Sequence, residues 1–391
     1  MKALIKYSLI SAALLLMACQ STNSLKSYQV KSPARSFYLD KKFKGYQNIA
    51  IETETEIFAL SEDMQQMVKS ISTERDTREK TDQLLKQFFS PEKINLAYQS
   101  GANVIASEAF ENKTANCLSL TIMAFAIAKA AKLDVAFQSV DIPEYWVRNG
   151  NVNMLTGHIN LAVFEEPLPQ KLVFWQRNKI EIDFDPFVLK KSFPKHKINK
   201  NTVLAMFYNN KGANAMINGD YLTAYAYFRS ATDSDPLFSP AWGNLGILYR
   251  FKGLSQSAIN TYRHAITLNH NNLTAMSNLS LLLHLNDEHD EARQLDSQIM
   301  RKRANNPYYY ALLADERFYQ GDYNDAIKHY KKAIKLDDNI HEFYFGLAKT
   351  YYMLDEIAKA ESYIKKAMRY NRIAQVDQQY LVKLNLLKQV N

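Results

Sequence analysis

A residue pattern that returns every 34 positions through the C-terminal half constrains the fold of this chain more than any other feature. Small residues recur at Ala224, Ala258, Ala292, Ala326 and Ala360, and leucines at Leu245, Leu279, Leu313 and Leu347, always in steps of 34. Gly219-Asp220-Tyr221 returns as Gly321-Asp322-Tyr323, three periods later. A bulky aromatic follows the small position by four residues at Phe228, Tyr262 and Tyr330, and a second alanine comes three residues further on at Ala231, Ala265, Ala333 and Ala367. Pro236 closes the first unit. Such a period marks units that cannot bury their apolar face alone and must stack on their neighbours. The small residues let two helices approach, and the large ones fill the gap to the next pair. The sequence therefore predicts a right-handed stack of five two-helix units over residues 205–374. A cap helix over 375–391 would use Leu381, Leu384, Leu386 and Leu387 to cover the last unit. The third unit departs from the pattern, with Asp296 and Ile299 where an aromatic and an alanine are expected.

These positions resemble the tetratricopeptide-repeat consensus. The resemblance implies a groove lined by the first helix of each unit that holds a peptide or protein partner. It maps groove positions onto Asn209, Arg250, His284, Tyr308, Phe318, Phe345, Lys349 and Tyr352. Tyr308, Phe318, Phe345 and Tyr352 would form an aromatic binding wall in the later repeats.

The N-terminus reads as an export signal. Lys2 and Lys6 precede the apolar run Tyr7 to Ala18, which is too short for a bilayer core that needs about 20 residues. Leu16-Met17-Ala18-Cys19 resembles the bacterial lipoprotein box, which implies signal cleavage after residue 18 and lipidation of Cys19. Residues 19–36 are polar and Ser-rich, suited to a flexible tether. By the family's sorting rule, Gln20 after the cysteine implies the periplasmic face of the outer membrane. The net charge is +8, and removal of Lys2 and Lys6 with the signal leaves about +6 spread along the chain. No basic cluster sits on a nucleic-acid module, so no nucleic-acid partner is expected.

Residues 37–204 form one domain by length and pattern. Tyr46 to Thr55 has strand-like content, Ser61 is placed to cap a helix, and Thr81 to Phe89 reads as a further helix. Leu118 to Leu133 is apolar, free of Gly and Pro, and reads as a buried helix with Cys117 in its first turn. Cys117 is the one cysteine left once Cys19 is assigned to lipid, so no internal disulfide can form. A helix N-terminus favours thiolate over thiol and offers free N–H groups to an oxyanion. Six of the eight histidines fall in the repeats. Of the other two, His196 lies in Lys-His-Lys, read as a solvated linker, and His158 opens an alternating strand after Gly157. Lys179 to Asp185 reads as a strand ending in two carboxylates, Asp183 and Asp185, which share a face; either can orient an imidazole. With one cysteine and one candidate histidine there is no metal set, and no phosphate loop or other cofactor motif is present.

Cysteine on a helix start, histidine on a strand and aspartate on the next strand resemble the transglutaminase-like, papain-related superfamily. Asn116-Cys117-Leu-Ser-Leu-Thr121, Gly157-His158-Ile-Asn160, Ile182-Asp183-Phe184 and Phe207-Tyr208-Asn209-Asn210 look like bacterial transglutaminase-like proteins with C-terminal tetratricopeptide repeats. The implied fold is an α+β domain of this kind followed by an all-α repeat solenoid. The implied roles are Cys117 nucleophile, His158 general base and Asp183 orienter. The superfamily's commoner Asp-Pro ending would favour Asp185 instead. Two functions follow: an envelope thiol enzyme (protease, amidase or cross-linking) fed by the repeats, or a non-catalytic repeat adaptor that scaffolds envelope complexes.

Overall fold

A computed structural model describes residues 34–390 except 75, 91–92, 95, 100, 150–151, 166–177, 185–192 and 372–373. The signal segment, Cys19, most of the tether and Asp185 lie outside the described residues. The chain divides after Ser36, and every α-helix and β-strand named below belongs to the unit Phe37–Asn391.

The first helices are α1 (Glu54–Ile57), α2 (Glu62–Ser72) and α3 (Thr77–Phe89), started by Thr53, Ser61 and Asp76, whose side chains accept from first-turn N–H groups. The stretch 46–55 is not the expected strand. It is a 3-10 turn at Tyr46–Asn48 followed by extended chain into α1. Tyr46 lies edge-on to Tyr225 of the repeats at 5.1 Å between ring centroids, and Ile51 packs on the hydrophobic core, so the segment is covered without a neighbouring strand. Upstream, Phe43 stacks on Tyr225 at 4.1 Å, and the Tyr249 hydroxyl donates to the Phe37 carbonyl at 2.8 Å.

A two-residue strand β1 (Ala97–Tyr98) pairs in parallel with β2 (Thr114–Ala115), on either side of α4 (Ala106–Asn112). Then comes α5 (Cys117–Ala130), whose side chains are buried at almost every position. It packs on a four-stranded antiparallel sheet ordered β5-β4-β3-β6, made of β3 (Asp134–Asn149), β4 (Val152–Phe164), β5 (Lys179–Ile182) and β6 (Lys195–Ile198). His196 is therefore in a sheet strand paired with β3, not in a linker, although its side chain is exposed and bonds Asp141. Between Val140, opposite His158, and Tyr145, opposite Thr156, β3 carries extra residues that face Gly157. Pro143 stands within that bulge, one of the few places a sheet accepts it.

The repeats follow as five helix pairs: α6 (Lys200–Ile217) with α7 (Tyr221–Ser234), α8 (Ser239–Phe251) with α9 (Ser255–Leu268), α10 (Leu273–Leu285) with α11 (His289–Arg303), α12 (Pro307–Gln320) with α13 (Tyr323–Leu336), and α14 (His341–Met353) with α15 (Ile357–Tyr370). The turn inside each pair has one residue at positive φ, again every 34 residues: Gly219, Gly253, Asp287, Gly321 and Asp355. Glycine and aspartate are among the residues that tolerate this conformation best. In the first two pairs a glycine lies against the ring four residues past the small position. A Cβ on Gly212 would come within 2.7 Å of Phe228, and one on Gly246 within 2.6 Å of Tyr262. The third pair replaces this packing with a polar set. The Ser280 hydroxyl donates to Asp296 at 2.5 Å, and His284 Nε2 bonds the other carboxylate oxygen at 2.9 Å.

The last helix, α16 (Ala374–Val390), covers α15 with Tyr380 and Leu384, both buried. Leu381 and Leu386 point outward, contrary to the sequence expectation, because the buried stripe follows Val376, Tyr380 and Leu384 at a spacing of four. One hydrophobic core runs without interruption from Ile57 through α5 and the sheet into α6, Tyr227 and Ala241. Helix α6 thus belongs to both halves at once, and it starts five residues before the boundary read from the period. Among the described residues no helix is long and apolar enough to cross a membrane.

Candidate functional site

Cys117 is the first residue of α5, directly after the cap Asn116. The Asn116 side chain accepts from the Ser119 N–H at 2.8 Å and donates to Asn103 Oδ1 at 3.3 Å. Asn103 in turn donates to the Phe207 carbonyl of α6 at 3.2 Å. The thiol-bearing helix end is therefore tied to the first repeat helix through two buried asparagines. Cys117 Sγ lies 3.9 Å from the carbonyl of Gly157, the residue before His158 and opposite the β3 bulge.

His158 projects from β4 and Asp183 follows the last residue of β5. The His158 Nε2 is 2.9 Å from both carboxylate oxygens of Asp183. Asn160, two residues along β4 on the same face, donates to Asp183 Oδ2 at 3.1 Å and holds the carboxylate in place. All four residues are buried, with Cys117 at 8% exposure. Burial alone would push the His158 pKa down. The Asp183 hydrogen bond, then the hydrogen bond and charge of Cys117, then the Asp183 charge outweigh it and raise the pKa to about 10. The Asp183 carboxylate bonded to the imidazole and the Cys117 side chain both favour its protonated form. Asn160 closed the sequence motif Gly157-His158-Ile-Asn160 but was given no role there, and Asn103 was not singled out. The period of two from His158 points to Asn160, whereas nothing local points to Asn103.

The second feature lies at the far end of the β3–β4 hairpin. The β3 bulge turns Glu144 out of the sheet toward the repeats, where Arg303 of α11 grips it through Nε at 2.7 Å and Nη2 at 3.0 Å. Asn306 donates to the Glu144 carbonyl at 2.7 Å, and the Arg303 guanidinium lies over Trp146 at 5.0 Å and Tyr309 at 5.5 Å. The hairpin is thereby clasped to α11 and α12. Beside this clasp is a cavity of about 860 Å³ between the hairpin end and α12 to α14. Of the expected binding wall, Tyr308 and Phe345 line the cavity and Phe318 and Tyr352 do not. Phe318 packs with Tyr319 and Tyr323 beneath Lys349, and Tyr352 is 48% exposed. Of the remaining groove positions, Lys349 lines the cavity, Asn209 accepts from Asn244, and His284 is taken up by Asp296. Glu144, Arg303 and Trp146 went unremarked in the sequence. A proline inside an alternating strand was the available sign of a bulge there. Among the described residues no cluster of His, Cys, Asp and Glu could hold a metal ion.

Comparison with known proteins locates the repeats. The family described as "Tetratricopeptide repeat" matches residues 239–272, and "TPR repeat" matches residues 314–355. The chain therefore carries tetratricopeptide repeats. Solved structures similar to it include the MamA protein, 21% identical over 43% of this chain and 91% of that one, with a TM-score of 0.25. PilF of Pseudomonas aeruginosa is 17% identical over 49% of this chain and 94% of that one, with a TM-score of 0.29. A thermophilic TPR protein of Thermus thermophilus is 17% identical over 47% of this chain and 99% of that one, with a TM-score of 0.31. No curated protein matches the chain.

Proposed function

We propose that this chain is a lipid-anchored envelope protein that binds a polypeptide partner in its repeat array and presents it to a thiol acyl-transfer centre formed by Cys117, His158 and Asp183. The repeats carry the binding part of this reading. The thiol part rests on one observation: a buried imidazole bonded at 2.9 Å to a carboxylate on one side and influenced by a helix-start thiol on the other. That arrangement is what a transglutaminase-like, papain-related centre needs.

In the proposed reaction the Cys117 sulfur adds to the carbonyl carbon of an amide. The first N–H groups of α5, which have no intrahelical acceptor, face the developing oxyanion. His158 gives its proton to the departing amine, the C–N bond breaks, and an acyl thioester remains. Water or a second amine then adds to the thioester, passes a proton to His158, and the C–S bond breaks to return the thiolate. Lipid on Cys19 would hold this centre at the periplasmic face of the outer membrane.

A second reading, the non-catalytic adaptor, is favoured by the comparisons, whose family matches fall only within the repeats. The rate of Cys117 alkylation by iodoacetamide as a function of pH separates the two. The thiol reading expects fast alkylation below pH 7, slowed at least about tenfold by His158→Ala. Slow alkylation that ignores the substitution would leave the adaptor.

A further inference from the structure

We infer that Gln138 is a positioning residue of the thiol centre, acting through Asn160 to hold the Asp183 carboxylate against His158. This deepens the reading of Cys117, His158 and Asp183 as an acyl-transfer site and rests on it.

The register of the sheet puts the residues in one row. Gln138 of β3 lies directly opposite Asn160 of β4. The ladder between β4 and β5 pairs Leu161 with Ile182, so Asp183 comes next, across from Asn160. Directly opposed side chains share a face, with Cβ atoms about 4.5–5.5 Å apart. The 3.1 Å bond from Asn160 to Asp183 already joins two members of the row. His158 is on the same face, two residues along β4 and opposite Val140. Gln138, Asn160 and Asp183 are all buried, at 7%, 0% and 8% exposure.

Two neighbouring oxygens in this row lack a donor. Gln138 Oε1 and Asn160 Oδ1 are both buried, and neither accepts a hydrogen bond among the described residues. A buried carbonyl oxygen without a donor is destabilising, and folded proteins rarely keep one. Asn160 cannot turn, because its NH2 group is committed to Asp183. Gln138 can. The two ends of an amide have nearly the same shape, so half a turn brings its NH2 group to Asn160 Oδ1. The Gln138 oxygen then faces its other neighbour in the row, Lys197 of β6, whose ammonium carries donors only. Hydrogen bonds now run one way, from Gln138 to Asn160 to Asp183, and end on the carboxylate bonded to His158 Nε2. Held at both ends, the Asn160 amide cannot rotate, and both Asp183 oxygens stay 2.9 Å from the imidazole. Burial lowers the His158 pKa, and the Asp183 hydrogen bond is the first of the influences that raise it again. A carboxylate free to turn would therefore register at the imidazole.

The test reads the imidazole by 15N NMR of the full chain with labelled histidine and glutamine, His158 being assigned from the signal lost in His158→Ala. Gln138→Met, similar in size and unable to donate, should lower the His158 titration midpoint by about one pH unit, a tenfold loss of proton affinity, with unaltered circular dichroism. Made on top of Asn160→Ala, the same substitution should move the midpoint by less than about 0.3, because the link to Asp183 is already cut. In the unmodified chain the Gln138 side-chain NH2 group should exchange with solvent at least about tenfold more slowly than those of exposed glutamines. This last measurement needs no variant, so it decides even if a substitution unfolds the protein. Fast exchange of that group, an unmoved midpoint in Gln138→Met, or an equal shift with and without Asn160 overturns the assignment and leaves Gln138 a packing residue. Failure of the thiol reading itself shows separately, as Cys117 alkylation that ignores His158→Ala.

Discussion

Glu144→Gln, Arg303→Gln and the double substitution together measure how firmly the hairpin is held on the repeats. The Arg303 side chain is 8% exposed and that of Glu144 21%, so both charges have lost most of their water. Removing one partner of a buried pair costs about 3–5 kcal/mol, because the other charge is left uncompensated. Partial exposure of Glu144 places Arg303→Gln toward the low end on that count. Losing the guanidinium also removes its contacts with Trp146 and Tyr309, each about 0.5–1 kcal/mol. Glu144→Gln leaves Arg303 over those rings and should cost about 3 kcal/mol, against about 4–5 for Arg303→Gln. The double variant has no orphaned charge and should cost about 5, which gives a coupling energy of roughly 2–3 kcal/mol. Amide hydrogen exchange under native conditions reads this directly. A loss of about 3 kcal/mol should speed exchange at residues 141–147 and 153–156 by roughly a hundredfold, while α8 and α9 stay protected. If hairpin amides exchange no faster in either single variant, or the coupling is below about 0.5 kcal/mol, the pair acts as an ordinary surface contact and the clasp is not what holds the hairpin.

Two further outcomes follow from the packing and the electrostatics. Gly246→Ala should lower stability by about 1–3 kcal/mol, since its Cβ would stand 2.6 Å from the buried Tyr262 ring. Gly243→Ala, on the same helix with its nearest neighbours at 3.5 and 3.9 Å, should raise stability by up to about 1 kcal/mol through helix propensity. Urea unfolding of the two variants should therefore give opposite signs, and equal signs would contradict the small-on-large packing. The His158 pKa is raised from 6.5 to about 10 in the folded protein, so its contribution is complete below pH 6.5 and is lost as pH climbs to about 10. Stability should fall over that window by up to about 1.4 kcal/mol per pH unit. Asp183→Asn should flatten the slope, and a stability that is level or rising from pH 7 to 9 in the unmodified protein would exclude a proton held at that site.

The repeat half was legible because its physics is local and periodic. Alanine at 224, 258, 292, 326 and 360 meets the same need in every unit, so one period declares the whole stack, and all five alanines are fully buried. The buried helix after Cys117 was legible too, since an apolar run without Gly or Pro is a local property. Strand parity put Asp183 and Asp185 on one face and could go no further. What draws Asp183 to His158 is the antiparallel pairing of β5 with β4, a register set over distance along the chain. The stretch from Tyr46 to Thr55 misled because β-branched and apolar content says that a segment will be buried, not against what. Its partners, Tyr225 and Tyr227 among them, lie roughly 180 residues away. By itself, the sequence determined the repeat helices with their period and the buried helix that begins at Cys117, because propensity and periodicity act between near neighbours. The tertiary structure alone decided that Asn103 ties the thiol helix to the repeats, that the β3 bulge aims Glu144 at Arg303, and that the hairpin walls a cavity against α12 and α14. Each of those depends on groups brought together only when one core closes over both halves.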